Sequence, residues 1–132
     1  MPGFVIDTHA LIWFLSGSDR LGTAAIAALN DAAKEVIVPA IVLAEALWIV
    51  ETRDFGLGAD DVSAAIDADP RISVYPLTRE VVERASGLTV ISEMHDRQIV
   101  ATVQMLNESG GSFVLITKDA EVRDSSLVPT VW

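Results

Sequence analysis

The chain has 132 residues, with 19 Asp and Glu against 9 Lys and Arg and a formal net charge of −10. That length suits one domain, residues 1–132, and 51% hydrophobic with 21% charged residues excludes a disordered chain. The lack of cysteine excludes disulfides, thiol catalysis and cysteine zinc sites, while the acidity argues against broad electrostatic capture of nucleic acid.

Apolar β-branched runs alternate with helical patterns along the chain. This alternation predicts an α/β fold: a three-layer α/β/α domain with a mainly parallel central sheet of four to five strands. Phe4-Val5-Ile6-Asp7 reads as the first strand, and Thr8 as the cap of a helix to about Leu15, closed by Ser16-Gly17. Thr23 is expected to cap an alanine-rich helix ending near Lys34. Val36-Ile37-Val38 is a short apolar strand stopped by Pro39, as suits a buried parallel strand. Ala40 to about Arg53 is helical, and Asp54-Phe55-Gly56-Leu57-Gly58 is a loop. Asp60 or Asp61 opens a further helix, ended by Asp69-Pro70. Ile72 to Tyr75 is the third strand, and Thr78 caps a helix to Ser86-Gly87.

Leu88 to His95 carries no clear pattern. Asp96 is expected to open a helix to about Asn107, with Ile99, Val100, Val103 and Leu106 at helical spacing. Residues 108–112 form a turn, Phe113 to Ile116 is the clearest strand, and Val128 to Val131 is a last short one weakened by Pro129. The N-terminus has no basic region and an early aspartate, and no stretch is long and apolar enough to span a bilayer. A soluble cytoplasmic domain with no membrane partner is the expectation.

In an open parallel sheet, ligands collect at the carboxyl ends of the strands. Asp7 ends the first strand, and Asp119 lies just past the Phe113 strand. Glu45 lies in the early turns of the helix leaving the second strand, and helical side chains lean back toward the helix start. Asp96 begins the helix that feeds the Phe113 strand, which places it at the same edge. Each acid also has a plainer use: Asp7 and Asp96 as helix caps, Asp119 as a turn residue, Glu45 as an outward solubilising group. Glu45 is the most informative, because every neighbour from Ala40 to Val50 is apolar. Four clustered anions repel one another unless a cation compensates, and Arg97 and Lys118 are the only basic residues beside them. A divalent ion is the economical answer. Oxygen-only ligation suits Mg²⁺ or Mn²⁺, which activates water against phosphodiesters.

Three segments give the chain a resemblance to the PIN-domain family, closest to the VapC-like toxins of bacterial toxin–antitoxin pairs. They are Val5-Ile6-Asp7-Thr8-His9-Ala10-Leu11-Ile12-Trp13, Met94-His95-Asp96-Arg97-Gln98-Ile99-Val100-Ala101-Thr102, and Leu115-Ile116-Thr117-Lys118-Asp119. Glu45, following Val36-Ile37-Val38-Pro39, fits that family's second acid. The resemblance implies a Mg²⁺- or Mn²⁺-dependent endoribonuclease whose products bear a 5′-phosphate and a 3′-hydroxyl. It implies Asp7 and Asp96 as core ligands, Asp119 completing the set or holding a second ion, and Glu45 orienting or deprotonating the attacking water.

Thr8 and Thr117 are candidates to touch ligand or phosphate, or to stabilise a cap and a turn. Arg97 is a candidate to touch phosphate, or to pair with a neighbouring acid. His9 and His95 read as structural or substrate-edge histidines. The partners implied are an RNA substrate, a cognate antitoxin whose arginine enters the acid cluster, and a second copy of the chain. Helices bearing Trp48, Ile49 and Val50, or Val62 and Ile66, are the candidate dimer surfaces. A non-catalytic PIN-like scaffold binding RNA or protein is the alternative. An aspartyl-phosphate transferase using Asp7 is a weaker one, since that chemistry wants a second Asp at position 9, which is His.

Overall fold

Val5, Ile6, Val38, Leu115 and Ile116 lose all contact with solvent, as β-branched and Leu residues do on strands covered by helices on both faces. They belong to β1 (Pro2–Ile6), β2 (Glu35–Pro39) and β4 (Ser112–Ile116), which with β3 (Ile72–Tyr75) and β5 (Thr130–Val131) complete the sheet of a computed structural model describing residues 2–132. The strand order is β3-β2-β1-β4-β5, and every pairing is parallel. Phe4 faces Val36 on one side and Val114 on the other. The chain therefore runs outward from β1 through β2 and β3, then returns to add β4 and β5 on the opposite side. The reversal falls between β1 and β4, where a doubly wound sheet opens a crevice at its carboxyl edge.

Among the described residues seven helices make the crossovers and cover the sheet: α1 (Thr8–Ser16), α2 (Thr23–Leu29), α3 (Ala40–Thr52), α4 (Ala59–Ala68), α5 (Arg79–Ser86), α6 (Met94–Glu108) and α7 (Ala120–Ser125). One continuous apolar core joins strands and helices, and a small satellite of Val81, Ala85 and Ala101 seals α5 against α6. The α/β architecture expected from the alternating pattern is the one found. Among the described residues no helix is long and apolar enough to cross a membrane.

Several boundaries move, each for a local reason. The cap of α1 is Asp7, whose Oδ1 accepts the Ala10 N–H at 3.0 Å, so Thr8 is the buried first residue of the helix. Gly17 closes α1 at φ 68°, a left-handed turn that glycine adopts without strain. Gly22, not Thr23, precedes α2, and a Cβ there would stand 2.6 Å from Trp132. That helix stops at Leu29 instead of reaching Lys34, because Asp31 takes the Ala33 N–H at 3.0 Å into an Asx turn. Asp60 and Asp61 lie in the first turn of α4, after Gly58. Helix α6 begins at Met94, not Asp96; Glu93 is its cap and accepts the Asp96 N–H at 2.9 Å. The short α7 gave no advance signal.

At the amino edge Arg71, just before β3, binds the Leu29 carbonyl at 2.8 Å, the Asp31 carbonyl at 3.1 Å and Asp69 at 2.9 Å. One guanidinium thus ties the end of α2 to the entry of β3. Of the residues considered for a dimer surface, Ile49, Val50 and Val62 belong to the core, whereas Trp48 is 62% exposed.

Candidate metal centre

The carboxyl edge holds a cleft of about 470 Å³, lined by Asp7, Glu45, Glu93, Asp96 and Asp119 among others. Each acid arrives by a different local rule. Asp7 continues the β1–β4 ladder, its N–H bonding the Ile116 carbonyl at 3.2 Å, and then caps α1. Asp119 caps α7, its Oδ1 accepting the Val122 N–H at 2.9 Å. Asp96 stands in the first turn of α6, where the helix N-terminus favours negative charge. Glu45, on the second turn of α3, leans back to the edge as helical geometry requires.

Thr117 is buried between two of these acids. Its hydroxyl bonds the Asp7 carboxylate and accepts the Asp119 N–H at 3.1 Å, so it fixes the spacing of β1 and the turn after β4. Thr8 does the same for Glu45, donating its hydroxyl to Oε1. His95 completes that arrangement: its Nδ1 lies 3.4 Å from Glu45 Oε2 and 3.0 Å from Glu93 Oε1. Glu93 therefore caps α6, holds His95 and adds a fifth carboxylate to the cleft. Its signal was available as an acid three residues before Asp96, the spacing of a cap and its third helical residue.

The electrostatics record how close the acids are. Burial raises the Asp7 pKa, with Asp119 adding to the rise; the Thr117 and Ala10 hydrogen bonds and the nearby His9 pull against it. Asp96 is pushed up to about 7, chiefly by burial and then by Asp119, Glu93, Asp7 and Glu45 in that order. All four neighbours act on one carboxyl group. Glu93 moves the other way, because His95 and the backbone of His95 and Asp96 outweigh its burial.

This donor set is all oxygen and strongly one-signed, which fits a hard divalent cation such as Mg²⁺ or Mn²⁺. Among the described residues no three His, Asp or Glu side chains stand in an arrangement that would ligate an ion by protein alone. An ion taking one or two direct carboxylates and water elsewhere, the habit of Mg²⁺, is the coordination the residues suit.

A family model for the PIN domain matches residues 4–125. The chain belongs to the PIN domain family. A comparison with curated protein sequences gives no match. Among solved structures, a toxin–antitoxin complex from Klebsiella pneumoniae superposes with TM-score 0.71 at 18% identity, covering 98% of this chain and 97% of that one. The sarcin–ricin-loop-cleaving toxin VapC20 of Mycobacterium tuberculosis follows at 0.70 and 16%, covering 96% and 97%. VapBC2 from Rickettsia felis, bound to a promoter DNA fragment, gives 0.70 and 13%, covering 99% and 98%. At these identities the likeness is one of fold.

In this PIN domain the four acids singled out in sequence, Asp7, Glu45, Asp96 and Asp119, share one cleft. Thr8 lines it too, while Thr117 lies beneath it as a buried strut. Arg97 does not line it. Its Nε donates to the Ile91 carbonyl at 2.5 Å, and the side chain borders a second cleft with Val82, Ala85, Met94 and Gln98. Arg97 follows Asp96 in sequence, but the helical step of about 100° per residue turns neighbours to different faces.

Proposed function

We propose that this PIN domain is a Mg²⁺- or Mn²⁺-dependent endoribonuclease, the toxin of a toxin–antitoxin pair. The observation that carries the reading is the convergence of Asp7, Glu45, Glu93, Asp96 and Asp119 in one cleft at the switch point of the sheet, where burial and then the four other acids raise the proton affinity of Asp96. Uncompensated repulsion of this kind is maintained where a cation is to be held. The names of the structures sharing the fold support the same reading: a toxin–antitoxin complex and a toxin that cleaves the sarcin–ricin loop.

Asp7, Asp96 and Asp119 would hold the ion, with Glu45 beside them. When bound, the ion lowers the pKa of water and neutralises charge developing on the phosphoryl oxygens. Glu45, steadied by Thr8 and His95, accepts a proton from the attacking water. The water oxygen bonds to phosphorus, the bond from phosphorus to the 3′-oxygen breaks, and that oxygen leaves as an alkoxide that takes a proton from solvent water. The products carry a 5′-phosphate and a 3′-hydroxyl.

A basic antitoxin segment suits the same cleft, because an arginine entering it would satisfy the acids as the ion does. A second copy of the chain is the partner we assign to the exposed Trp48 on α3, and light scattering at micromolar concentration tests it.

Incubation of purified protein with a panel of structured RNAs, with Mg²⁺, Mn²⁺ or chelator, tests the activity. Cleavage that requires the ion and leaves 5′-phosphate ends is expected. RNA binding without cleavage under any ion would make the domain a scaffold instead.

A further inference from the structure

Among the described residues, five carboxylates line the cleft, and Lys118 is the one Lys or Arg side chain that lines it with them. Its neighbour in sequence is Asp119, yet among the described residues Lys118 forms no ion pair with it or any other acid. The ammonium instead sits over Trp13, 5.4 Å from the ring centroid. Trp13 is 7% exposed and cannot yield, since Trp132 packs edge-on against it at 5.8 Å. One helical turn back, the exposed His9 leans on the same indole at 5.6 Å and 51°. Lys118 follows the buried Thr117, so the backbone carrying it is fixed by the bonds that fix Asp7 and Asp119.

An indole face holds an ammonium without consuming its hydrogen-bond donors. Lys118 is thereby kept out of the carboxylate cluster with N–H groups free, beside the acids that would hold the ion. We infer that Lys118, braced on Trp13, grips an RNA phosphate next to the one being cut, and that His9 packs against the adjoining base. The inference rests on the ribonuclease reading and names how a protein of charge −10 draws a polyanion to an acidic cleft. A lysine seated on a buried ring loses little side-chain freedom when phosphate arrives, so the contact is pre-organised.

The test uses a fluorescein-labelled single-stranded RNA and the full chain carrying Asp7→Asn, so that binding is read without cleavage. Fluorescence anisotropy across a KCl series gives affinity and its salt slope. Adding Lys118→Ala should weaken binding on the order of tenfold at low salt, as loss of one charge-assisted contact does. The slope of log affinity against log salt should fall by about 0.7, the value for one single-strand phosphate contact. Lys118→Arg should restore both, and Trp13→Leu should reduce affinity with the lysine present. Unchanged affinity and slope in Lys118→Ala, in a protein that binds RNA and whose parent cleaves it, would overturn the inference and leave the ribonuclease reading standing. If the parent neither binds nor cleaves RNA, both fall together.

Discussion

The two edges of the sheet treat charge in opposite ways. At the amino edge one acid is matched to one base: Arg71 binds Asp69 through two nitrogens and caps two backbone carbonyls as well. Those bonds hold the Asp69 pKa below its ordinary value and raise that of Arg71. At the carboxyl edge five acids share one cleft, and Asp96 is raised to about 7. Burial is the first cause there, and mutual repulsion adds to it. Arginines were available to this sequence, and it places none of them in the cleft. The amino edge pairs its half-buried charge, whereas the carboxyl edge leaves mutually repelling acids together, at a cost in stability that a bound cation would offset.

The largest effect that should separate the edges is on catalysis. Asp7→Asn and Asp96→Asn should each lower RNA cleavage at least about 100-fold while circular dichroism stays native, because removing a ligand charge weakens both the ion and its activated water. Arg71→Met should leave cleavage intact and cost roughly 1–2 kcal/mol, read as a melting temperature lower by about 3–8 °C. If Arg71→Met silenced cleavage without unfolding the protein, the division of labour between the edges would be wrong.

A smaller effect follows from the pKa shifts. Asp96 keeps its proton to about pH 7 in the folded chain but loses it near 3.8 when unfolded. Between those values the folded state binds more protons, so metal-free stability falls as pH rises and levels off above the folded pKa. Asp69 has the opposite sign: its contribution is present above the unfolded value and is lost as pH falls through the lowered folded one. Metal-free melting temperature should therefore decline from about pH 5 to about pH 8, and Asp96→Asn should flatten the decline. Since Asp96 is part-exposed, solvent screening limits the gain at high pH to a few degrees, about 1 kcal/mol or less. A profile that stays steep in Asp96→Asn would locate the titration elsewhere.

Much of this contrast was legible in the sequence. The strands declared themselves through short β-branched runs, and the four acids through their places at strand ends and helix starts. For two of them, Asp7 and Asp119, the capping position is also the position in the cleft. Asp7 and Asp119 each spend one oxygen on a helix N–H, which aims the carboxylate at the crevice. Less local facts were hidden. His95, itself held by Glu93, meets Glu45 across fifty residues of chain that no periodicity reports. Arg97 looked like a site residue because sequence adjacency was read as spatial adjacency, which helical rotation does not preserve. The end of α2 was overrun because alanine-rich composition predicts helix, while the Asx turn at Asp31 and the Arg71 clamp on Leu29 and Asp31 stop it.

The central claim is that the carboxyl edge is a divalent-cation site built from mutually repelling acids. Thermal unfolding at about pH 8 with and without Mn²⁺, in the wild type and in Asp96→Asn, tests it most directly, because an ion that binds only the folded state raises its melting temperature by mass action. A clear Mn²⁺-dependent rise is expected in the wild type. In Asp96→Asn the metal-free melting temperature should be higher, with little further rise on adding the ion. Equal Mn²⁺ shifts in both proteins, or none in the wild type at millimolar ion, would contradict the claim.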